Sequence, residues 1–488
     1  MRHHLGTMSA SWALAALAAS VVGCHSNGSG AAGTGGAAGV GLGSGGSGGP
    51  ASGGAGGGGD LGDAGGTGAG GAGTGAGGAS ADAGAGGMGA RVDAGVDRAP
   101  ADAANANADG GDGGVAVLAA TPPMGWNSWN TFQCSLNEQL IRGVADTFVS
   151  SGMAAAGYQY VNLDDCWMNG RDASGNLQWD TTKFPAGIPA LAAYVHGKGL
   201  KLGIYESANT DTCVGVYGPS TPAVAVGSLN HEAQDAQTFA SWGVDFLKYD
   251  LCQGSRASIT TMGNGLRAAG RPIVFSINPG NGTNDLQPPT AAGWNYGTIA
   301  NMWRIGFDIN ASWASVLSLI DQDATLARFA SPGHWNDPDM LEVGKGLTAD
   351  EDRSHFSMWA MLAAPLIAGN DIRSMSATTQ SILTNAEVIA VDQDALGLQG
   401  QLVATPATNL QVWSKQLAGT NTRAVALFNR GTTAASITVR WTDIGISAGA
   451  ATVRDLWQHA ALGTFSDSYT AASVPAHGAM MLRIAGAP

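Results

Sequence analysis

Eight short apolar runs recur along the middle of this chain, and each run ends in polar or charged residues. They lie roughly thirty to forty residues apart, and helix-like segments such as 137–151, 188–196 and 232–242 separate them. Such alternation is typical of a parallel sheet, and eight units favour a closed barrel over an open doubly wound sheet. No Gly-x-Gly-x-x-Gly turn follows the first run, which also argues against a dinucleotide-binding fold. The predicted fold class is therefore α/β, a (β/α)8 TIM barrel, with strands within 124–127, 160–164, 202–205, 244–250, 273–278, 302–308, 334–339 and 365–368.

The polar ends of the eight runs predict one shared pocket. In such barrels the active site lies at the C-terminal ends of the strands. Lys248 and Asp250 stand two apart on one run, so they share a face of its strand. Grouping many carboxylates in one pocket costs on the order of several kcal/mol of charge repulsion and desolvation, so such a group indicates a functional site. The residues at these ends are Trp129, Asp164, Asp165, Tyr205, Lys248, Asp250, Asn278, Arg304, Asp308, Asp339 and Asp371.

The residue types at these ends favour sugar chemistry over metal chemistry. The sequence contains no His-x-His or His-Glu-x-x-His pattern, so we expect no metal site and no cofactor. Carboxylates accept hydrogen bonds from sugar hydroxyls, and aromatic faces stack on pyranose rings. Glycoside cleavage needs one ionised and one protonated carboxyl group. Lys248 favours the ionised form of Asp250, which makes Asp250 the natural nucleophile and Asp308 a candidate acid.

Six stretches then make a specific resemblance to a known family. Together they resemble the α-galactosidase (melibiase) family, glycoside hydrolase family 27, in order and spacing from about residue 120 to the C-terminus. The stretches are Met-Gly-Trp-Asn-Ser-Trp (124–129), Leu-Asp-Asp-Cys-Trp (163–167), Gly-Leu-Lys-Leu-Gly-Ile-Tyr (199–205), Trp-Gly-Val-Asp-Phe-Leu-Lys-Tyr-Asp (242–250), Trp-Arg (303–304) with Asp308, and Trp-Asn-Asp-Pro-Asp-Met (335–340).

The resemblance implies a retaining exo-glycosidase that removes terminal α-linked D-galactose by double displacement. It assigns Asp250 as the nucleophile and Asp308 as the acid/base. It assigns substrate binding to Trp129, Asp164, Asp165, Tyr205, Lys248, Arg304 and Asp339. Four cysteines of the globular part allow three pairings by themselves. The resemblance implies two of the possible bonds, Cys134 with Cys166 and Cys213 with Cys252.

Some of these residues also have purely structural interpretations. Asp164 and Asp165 are suited to capping the next helix, and Asp339 after Pro338 is suited to a turn. Trp129 and Trp335 are large enough to close the barrel as plain core residues. Arg304 would neutralise neighbouring carboxylates even without touching a sugar.

The chain also departs from the family pattern where the sugar's substituents would lie. It has Ser-Ile-Asn-Pro-Gly at 276–280, where many α-galactosidases carry Cys-Glu-Trp, and Ser207 where an aspartate is common. The segment around the acid, Ile-Gly-Phe at 305–307, is also unusual. The alternatives are therefore the same fold and mechanism on β-L-arabinopyranosides, α-N-acetylgalactosaminides or isomaltose-type glucans. A non-catalytic surface sugar-binding protein is the alternative of a different class.

The C-terminal part changes from a helical to a strand period. Alternating segments at 410–414, 423–428, 435–441 and 480–484 predict an antiparallel β-sandwich. We place the catalytic barrel at 116–395 and the sandwich at 396–488. Its expected role is to brace the barrel, with sugar binding as the alternative.

The N-terminal part predicts export rather than a folded domain. Residues 1–24 are typical of a signal peptide that ends in a lipobox, so Cys24 is a lipidation candidate. An ordinary secretory signal with a chance cysteine is the alternative. Residues 25–115 are rich in Gly, Ala, Ser and Asp, which predicts a disordered tether. The expected location is a membrane-anchored lipoprotein at the cell surface or in the periplasm, or otherwise a secreted protein. The net charge of −14 includes no basic patch suited to nucleic acid, so the expected partner is a carbohydrate.

Overall fold

A computed structural model describes residues 117–218, 224–252, 255–279 and 296–487. The predicted signal peptide, Cys24 and the predicted tether lie outside these residues. Within them, eight parallel strands form one sheet in the order β8-β1-β2-β3-β4-β5-β6-β7. The strands are β1 (Met124–Asn127), β2 (Tyr160–Asn162), β3 (Lys201–Ser207), β4 (Phe246–Asp250), β5 (Val274–Asn278), β6 (Met302–Arg304), β7 (Trp335–Asp337) and β8 (Leu366–Ala368).

A short bridge closes this sheet into a ring. Leu341, four residues after β7, pairs in parallel with Ala368 of β8. The Leu341 N–H donates to the Ile367 carbonyl at 2.8 Å, and the Gly369 N–H donates to the Leu341 carbonyl at 2.9 Å. The two edge strands are thereby joined, and the predicted (β/α)8 barrel is confirmed.

Helices connect the barrel strands, and the ends of several are set by local chemistry. The Asn137 side chain caps α1 by accepting from the Leu140 N–H, and Gly243 ends α3 in the left-handed conformation with φ 82°. The α-helices are α1 (Glu138–Ser150), α2 (Ile188–His196), α3 (Glu232–Trp242), α4 (Arg256–Ala268), α5 (Trp313–Asp323), α6 (Ala349–Leu362), α7 (Ala377–Leu383) and α8 (Ala386–Asp392), with short helices at Trp129–Phe132 and Cys213–Tyr217. A hairpin of Met168–Arg171 and Leu177–Trp179 and 3-10 turns at Tyr296–Thr298, Ala327–Phe329, Ile372–Ser374 and Trp441–Ile444 complete the elements outside the C-terminal sheets.

The register of the central strands brings their polar ends to one level. Ser207, Asp250 and Asn278 are paired across β3, β4 and β5. Tyr205, Lys248 and Ser276 stand two residues earlier on the same face of these strands, and they are aligned in the same way. The polar ends of three strands therefore form two stacked rows at the C-terminal end of the barrel.

The C-terminal part is an antiparallel β-sandwich, as predicted. A six-stranded sheet in the order β9-β10-β11-β16-β13-β14 faces a two-stranded sheet of β12 and β15. Alternate residues of β11 serve two cores: Phe428 packs in the same apolar cluster as the barrel, whereas Leu427 packs inside the sandwich. The strands are β9 (Gln401–Ala407), β10 (Leu410–Gln416), β11 (Thr422–Asn429), β12 (Ala435–Arg440), β13 (Ala450–Asp455), β14 (Ala460–Ser466), β15 (Ser468–Val474) and β16 (Ala479–Gly486). None of the helices in the described ranges is long and apolar enough to cross a membrane.

Candidate active site

The nine predicted site residues all lie at the C-terminal end of the barrel. Lys248 and Asp250 end β4, Tyr205 stands near the end of β3, and Arg304 ends β6. The others stand on the segments that follow strands β1, β2, β6 and β7; they are Trp129, Asp164, Asp165, Asp308 and Asp339. Asp371, the last polar end in the sequence pattern, instead pairs with Arg373 at 2.8 Å and caps a 3-10 turn.

Lys248 connects the carboxylates on one side of the site. Its Nζ donates to Asp164 Oδ2 at 2.7 Å and lies 3.9 Å from Asp250 Oδ2 and 5.3 Å from the Tyr205 ring centre. The Asn127 side chain donates to the same Asp164 oxygen at 2.8 Å. Burial opposes the charge on Lys248, but Asp164 and Asp250 outweigh it and hold the Lys248 pKa above its ordinary value. Lys248 is therefore a permanent cation beside Asp250.

Asp250 is a buried carboxylate with one oxygen left unpaired. Among the described residues, Asp250 Oδ1 has no hydrogen-bond partner, and its side chain is only 10% exposed. Burial raises the pKa of Asp250 to about 6 against the opposing charge of Lys248, and Asp164 and Asp308 add to the rise. Lys248 thus acts in the predicted direction but is outweighed by burial. At neutral pH Asp250 is still mostly ionised, which suits a nucleophile.

Arg304 connects the carboxylates on the other side. Its Nη2 donates to Asp308 Oδ1 at 3.0 Å and lies 2.9 Å from Asp339 Oδ2. The Arg304 side chain is 6% exposed, whereas that of Asp308 is 74% exposed. Neighbouring protein atoms partly desolvate the exposed Asp308 carboxyl and act to raise its pKa, but the charges of Arg304 and Lys248 outweigh this effect and leave the pKa below its ordinary value. Because Asp308 is so exposed, water screens this pairing, and its proton affinity will change when a ligand excludes that water.

Asp339 is held in an uncommon backbone conformation. Its φ is +81°, in the left-handed region that non-glycine residues rarely adopt. Its carboxylate accepts from the Met340 N–H at 2.8 Å and from the Ile309 N–H at 2.9 Å, in addition to its contact with Arg304. Asp339 therefore positions Arg304 and the segment that carries Asp308, and its contact with a sugar stays a prediction.

Asp165 is engaged with the backbone of two loops. Its Oδ1 accepts from the Cys166 N–H at 2.6 Å, and its Oδ2 accepts from the Val214 N–H at 3.1 Å. Burial raises its pKa, and these hydrogen bonds oppose the rise. Asp165 therefore fixes the short helix Cys213–Tyr217 over the site, and its predicted sugar contact remains untested.

The two predicted aromatic residues differ in exposure. Tyr205 is almost fully buried at 1% exposure, where its ring faces the Lys248 ammonium. The Trp129 side chain is partly buried and packs against the barrel core, and the backbone N–H of Trp129 donates to Asn127 Oδ1 at 2.8 Å. The part of Trp129 that remains outside the core is compatible with the predicted stacking on a sugar.

Both disulfides that the resemblance implied are present. Cys134 is bonded to Cys166 and Cys213 to Cys252, with Cα atoms 5.2 Å and 5.4 Å apart. Cys213 Sγ lies 3.7 Å from Asp250 Oδ2. The second bond thereby holds the loop after β4 beside the proposed nucleophile.

A cavity in the barrel reveals residues that the sequence argument did not select. Asp337 lines it, and burial raises the pKa of Asp337 to about 6 against the charge of Arg304. Within the described ranges, Asn162 Oδ1 and Arg304 Nε are buried without a hydrogen-bond partner, so the cavity offers polar atoms to water or ligand. Asn127, Asn162, Ser276 and Asp337 are the polar lining residues that were missed, although each lies in a predicted strand. In the part of the chain that the structure describes, no group of His, Cys, Asp and Glu is arranged to hold a metal ion.

Comparison with known proteins gives consistent matches over both domains. The family model described as alpha galactosidase A matches residues 121–394, and the one described as the alpha galactosidase C-terminal beta sandwich domain matches residues 407–484. The α-galactosidase of Coffea arabica is 50% identical over 75% of this chain and 93% of its own length. The human α-N-acetylgalactosaminidase is 41% identical over 62% of this chain and 75% of its own. The crystal structure of α-galactosidase I from Mortierella vinacea superposes with a TM-score of 0.68 at 38% identity, over 76% of this chain and 98% of that one.

Proposed function

The chain belongs to the α-galactosidase family, and on that premise we propose that it hydrolyses terminal α-linked D-galactose from oligo- or polysaccharides by a retaining double displacement. The observation that carries this proposal is Asp250, a buried and mostly ionised carboxylate whose Oδ1 is unpaired among the described residues. Its other oxygen faces Lys248, which Asp164 holds in place. Such a carboxylate is suited to attack on an anomeric carbon.

In the first step Asp250 Oδ1 forms a bond to the anomeric carbon while the bond to the leaving oxygen breaks. Asp308 gives its proton to that oxygen, and a covalent glycosyl ester remains on Asp250. Asp308 must therefore carry a proton in the complex, although its pKa is low in the free protein. A bound sugar excludes water from the exposed Asp308 carboxyl and leaves the negative charge of Asp250 close to it, and both effects raise its pKa.

In the second step the neighbouring charges lower the pKa of Asp308 instead of raising it. The ester has no negative charge, so Arg304 and Lys248 lower the pKa of Asp308 without opposition from Asp250. Asp308 then accepts a proton from water, the water oxygen attacks the anomeric carbon, and the ester bond to Asp250 breaks. The remaining residues bind and orient: Lys248 and Asp164 fix Asp250, and Asp339 fixes Arg304.

The first prediction is that residues 115–488 hydrolyse p-nitrophenyl α-D-galactopyranoside and that Asp250→Asn abolishes this activity. The variant should fold at least as well as the parent. Because the folded-state pKa of Asp250 lies above its ordinary value, the ionised form costs stability at neutral pH, about 3 kcal/mol for a rise of about two units. Asparagine is neutral and removes that cost. Release of nitrophenol and thermal unfolding at pH 7 measure the two effects.

The outcomes of this experiment separate the alternatives. Faster turnover of the β-L-arabinopyranoside, the α-N-acetylgalactosaminide or isomaltose would reassign the glycone and keep the mechanism. Galactose binding without turnover on any of these substrates would indicate a sugar-binding protein instead. Unfolding of the Asp250→Asn variant would mean that Asp250 is needed for the fold.

We also propose that Cys24 is lipidated, so that the protein is exported and anchored to a membrane through its N-terminus. The support is the sequence alone: a basic start, an apolar stretch and Val-Val-Gly-Cys at 21–24. We predict that cells expressing the full chain incorporate a labelled fatty acid into it and that Cys24→Ala abolishes the labelling. Equal labelling of the two chains would contradict the anchor, and the secreted form would then be the better description.

A further inference from the structure

Phe307 is a large apolar side chain that the fold leaves in solvent beside Asp308. Its exposure is 67%, whereas Ile305 and Ile309 on either side are only 6% and 7% exposed. Of the five residues 305–309, only Phe307 and Asp308 are predominantly exposed. The segment therefore presents an aromatic ring and the proposed acid together.

The exposure of Phe307 does not come from a loose loop. Arg304 Nη2 donates to the Gly306 carbonyl at 3.3 Å as well as to Asp308. The Ile305 N–H donates to the Asp337 carbonyl at 3.0 Å, and the Ile309 N–H donates to Asp339 at 2.9 Å. The backbone on both sides of Phe307 is thus bound to β6 and to the segment at and after β7.

Tyr217 is a second exposed ring, on the side of the nucleophile. It is 69% exposed, and its hydroxyl donates to the Cys252 carbonyl at 2.6 Å. Cys252 is also bonded to Cys213, which begins the same short helix and lies 3.7 Å from Asp250. The Tyr217 side chain is therefore fixed to Cys252, which follows Asp250 by two positions in the chain.

Among the described residues, these two are the aromatic side chains that are predominantly exposed. The other exposed large apolar side chains of the described residues are aliphatic and less exposed, at 37% to 58%: Val117, Val149, Leu396, Leu398, Leu402 and Val403. Single exposed apolar residues are common and need no function. Phe307 is distinguished by its position, because it directly precedes the proposed acid Asp308, whereas Tyr217 is anchored to the loop that follows the proposed nucleophile Asp250.

The chemistry of the two carboxylates indicates which part of a substrate meets Phe307. An acid that protonates the leaving oxygen stands beside the leaving group, so the residue adjacent to Asp308 faces that group rather than the galactose. An exposed aromatic face binds the apolar C–H face of a pyranose ring, and a ring that is already fixed loses little freedom on binding.

We propose that Phe307 binds the sugar that leaves, so that the enzyme favours galactosides whose leaving group is itself a pyranose. This inference rests on the proposed galactosidase function and adds a site for the second sugar. It concerns binding only, and the covalent steps are unchanged.

The test compares two substrates that share galactose but differ in the leaving group. Melibiose releases glucose, whereas α-D-galactopyranosyl fluoride releases an ion with no ring. We expect the ratio of kcat/KM for melibiose to that for the fluoride to fall about tenfold in Phe307→Ala. Phe307→Trp keeps a ring and should keep the ratio. Tyr217→Ala removes a similarly exposed ring on the side of the nucleophile and serves as the matched control, and Val149→Ala removes a half-exposed apolar side chain from α1 as a second control.

The outcomes distinguish this inference from the proposed function. If the parent protein hydrolyses neither substrate, the proposed galactosidase function itself is wrong. Hydrolysis of both substrates with the same ratio in the parent and in Phe307→Ala would overturn the inference alone. Equal losses on the two substrates in Phe307→Ala also leave the ratio unchanged and would show that the ring acts on galactose or on the carboxylates.

Discussion

At the scale of single residues, Lys248 explains how a buried aspartate stays usable as a nucleophile. Burial alone pushes Asp250 towards its protonated form, and Asp164 and Asp308 push in the same direction. Lys248 opposes all three from 3.9 Å, and its own position is fixed by a 2.7 Å hydrogen bond to Asp164. The resulting pKa of about 6 leaves Asp250 ionised at neutral pH and protonated in mild acid.

This balance predicts the pH dependence of the enzyme. The value of kcat should fall as the pH drops through about 6, because the bound sugar keeps Asp308 protonated while Asp250 must be ionised to attack. Lys248→Met removes the charge that lowers the pKa of Asp250, so this acid limb should move to higher pH, by roughly one unit or more. The measurement is kcat for the nitrophenyl galactoside at saturating concentration between pH 4 and 9.

The matched control for Lys248→Met is Lys198→Met. Lys198 pairs with Asp146 at 2.6 Å on the surface and precedes β3, so it lies at the opposite end of the strands. Its replacement should leave the acid limb in place. An acid limb that also stays in place in Lys248→Met would show that another group sets the ionisation of Asp250.

At the scale of elements, the apolar runs were enough to locate all eight barrel strands. The helices at 188–196 and 232–242 have the predicted bounds, because a glycine follows each of them. The run at 302–308 was taken too far: β6 ends at Arg304, and Asp308 stands on the loop beyond it. Asp339 of the neighbouring segment holds that loop by accepting from the Ile309 N–H, and no pattern within one run can indicate such a bond.

Apart from the hairpin strands Met168–Arg171 and Leu177–Trp179, the strands that the sequence argument missed lie in the sandwich. β9, β13, β14 and β15 contain many Ala, Thr and Ser residues, so their apolar alternation is weak. Burial there depends on the facing sheet: Val453 is buried because β12 and β15 cover it, not because its own segment is strongly apolar. The residue types at the strand ends were enough to predict the chemistry of the site. The pairing of Lys248 with Asp164 could not be predicted, because only the folded barrel brings these two residues together.

Two polar residues that line the cavity were missed for a related reason. Asn162 and Asp337 end β2 and β7 and line the cavity, but the predicted runs continued to Asp164 and Asp339, so the sequence argument selected those later polar residues instead. The left-handed conformation of Asp339 also has no marker in its residue type, since aspartate adopts it only when its surroundings impose it. The chemistry of the predicted site was therefore accessible from sequence, and its scaffold was not.

At the scale of the whole molecule, the sandwich and the barrel share one apolar core. Phe428 of β11 lies in the barrel's cluster and meets the Trp313 ring of α5 at 5.8 Å between centroids. Polar contacts cross the same boundary: Arg430 binds Asp321 through two hydrogen bonds of 2.7 Å. The Lys415 ammonium donates to the Ala360 carbonyl of α6 at 3.1 Å. A boundary with this much buried contact favours the predicted bracing role of the sandwich and predicts that both parts unfold together.

Two neighbouring residues of β11 test this cooperativity, because Phe428 faces the barrel and Leu427 faces only the sandwich interior. Each alanine substitution should cost about 2 to 5 kcal/mol, since both side chains are fully buried. If the two parts unfold as one unit, both variants lose galactosidase activity at a lower temperature, and activity and circular dichroism report the same transition. Leu402→Ala on the exposed face of β9 should change little. A Leu427→Ala variant whose activity survives to the parent's temperature while its sandwich melts earlier would mean that the barrel stands without its brace.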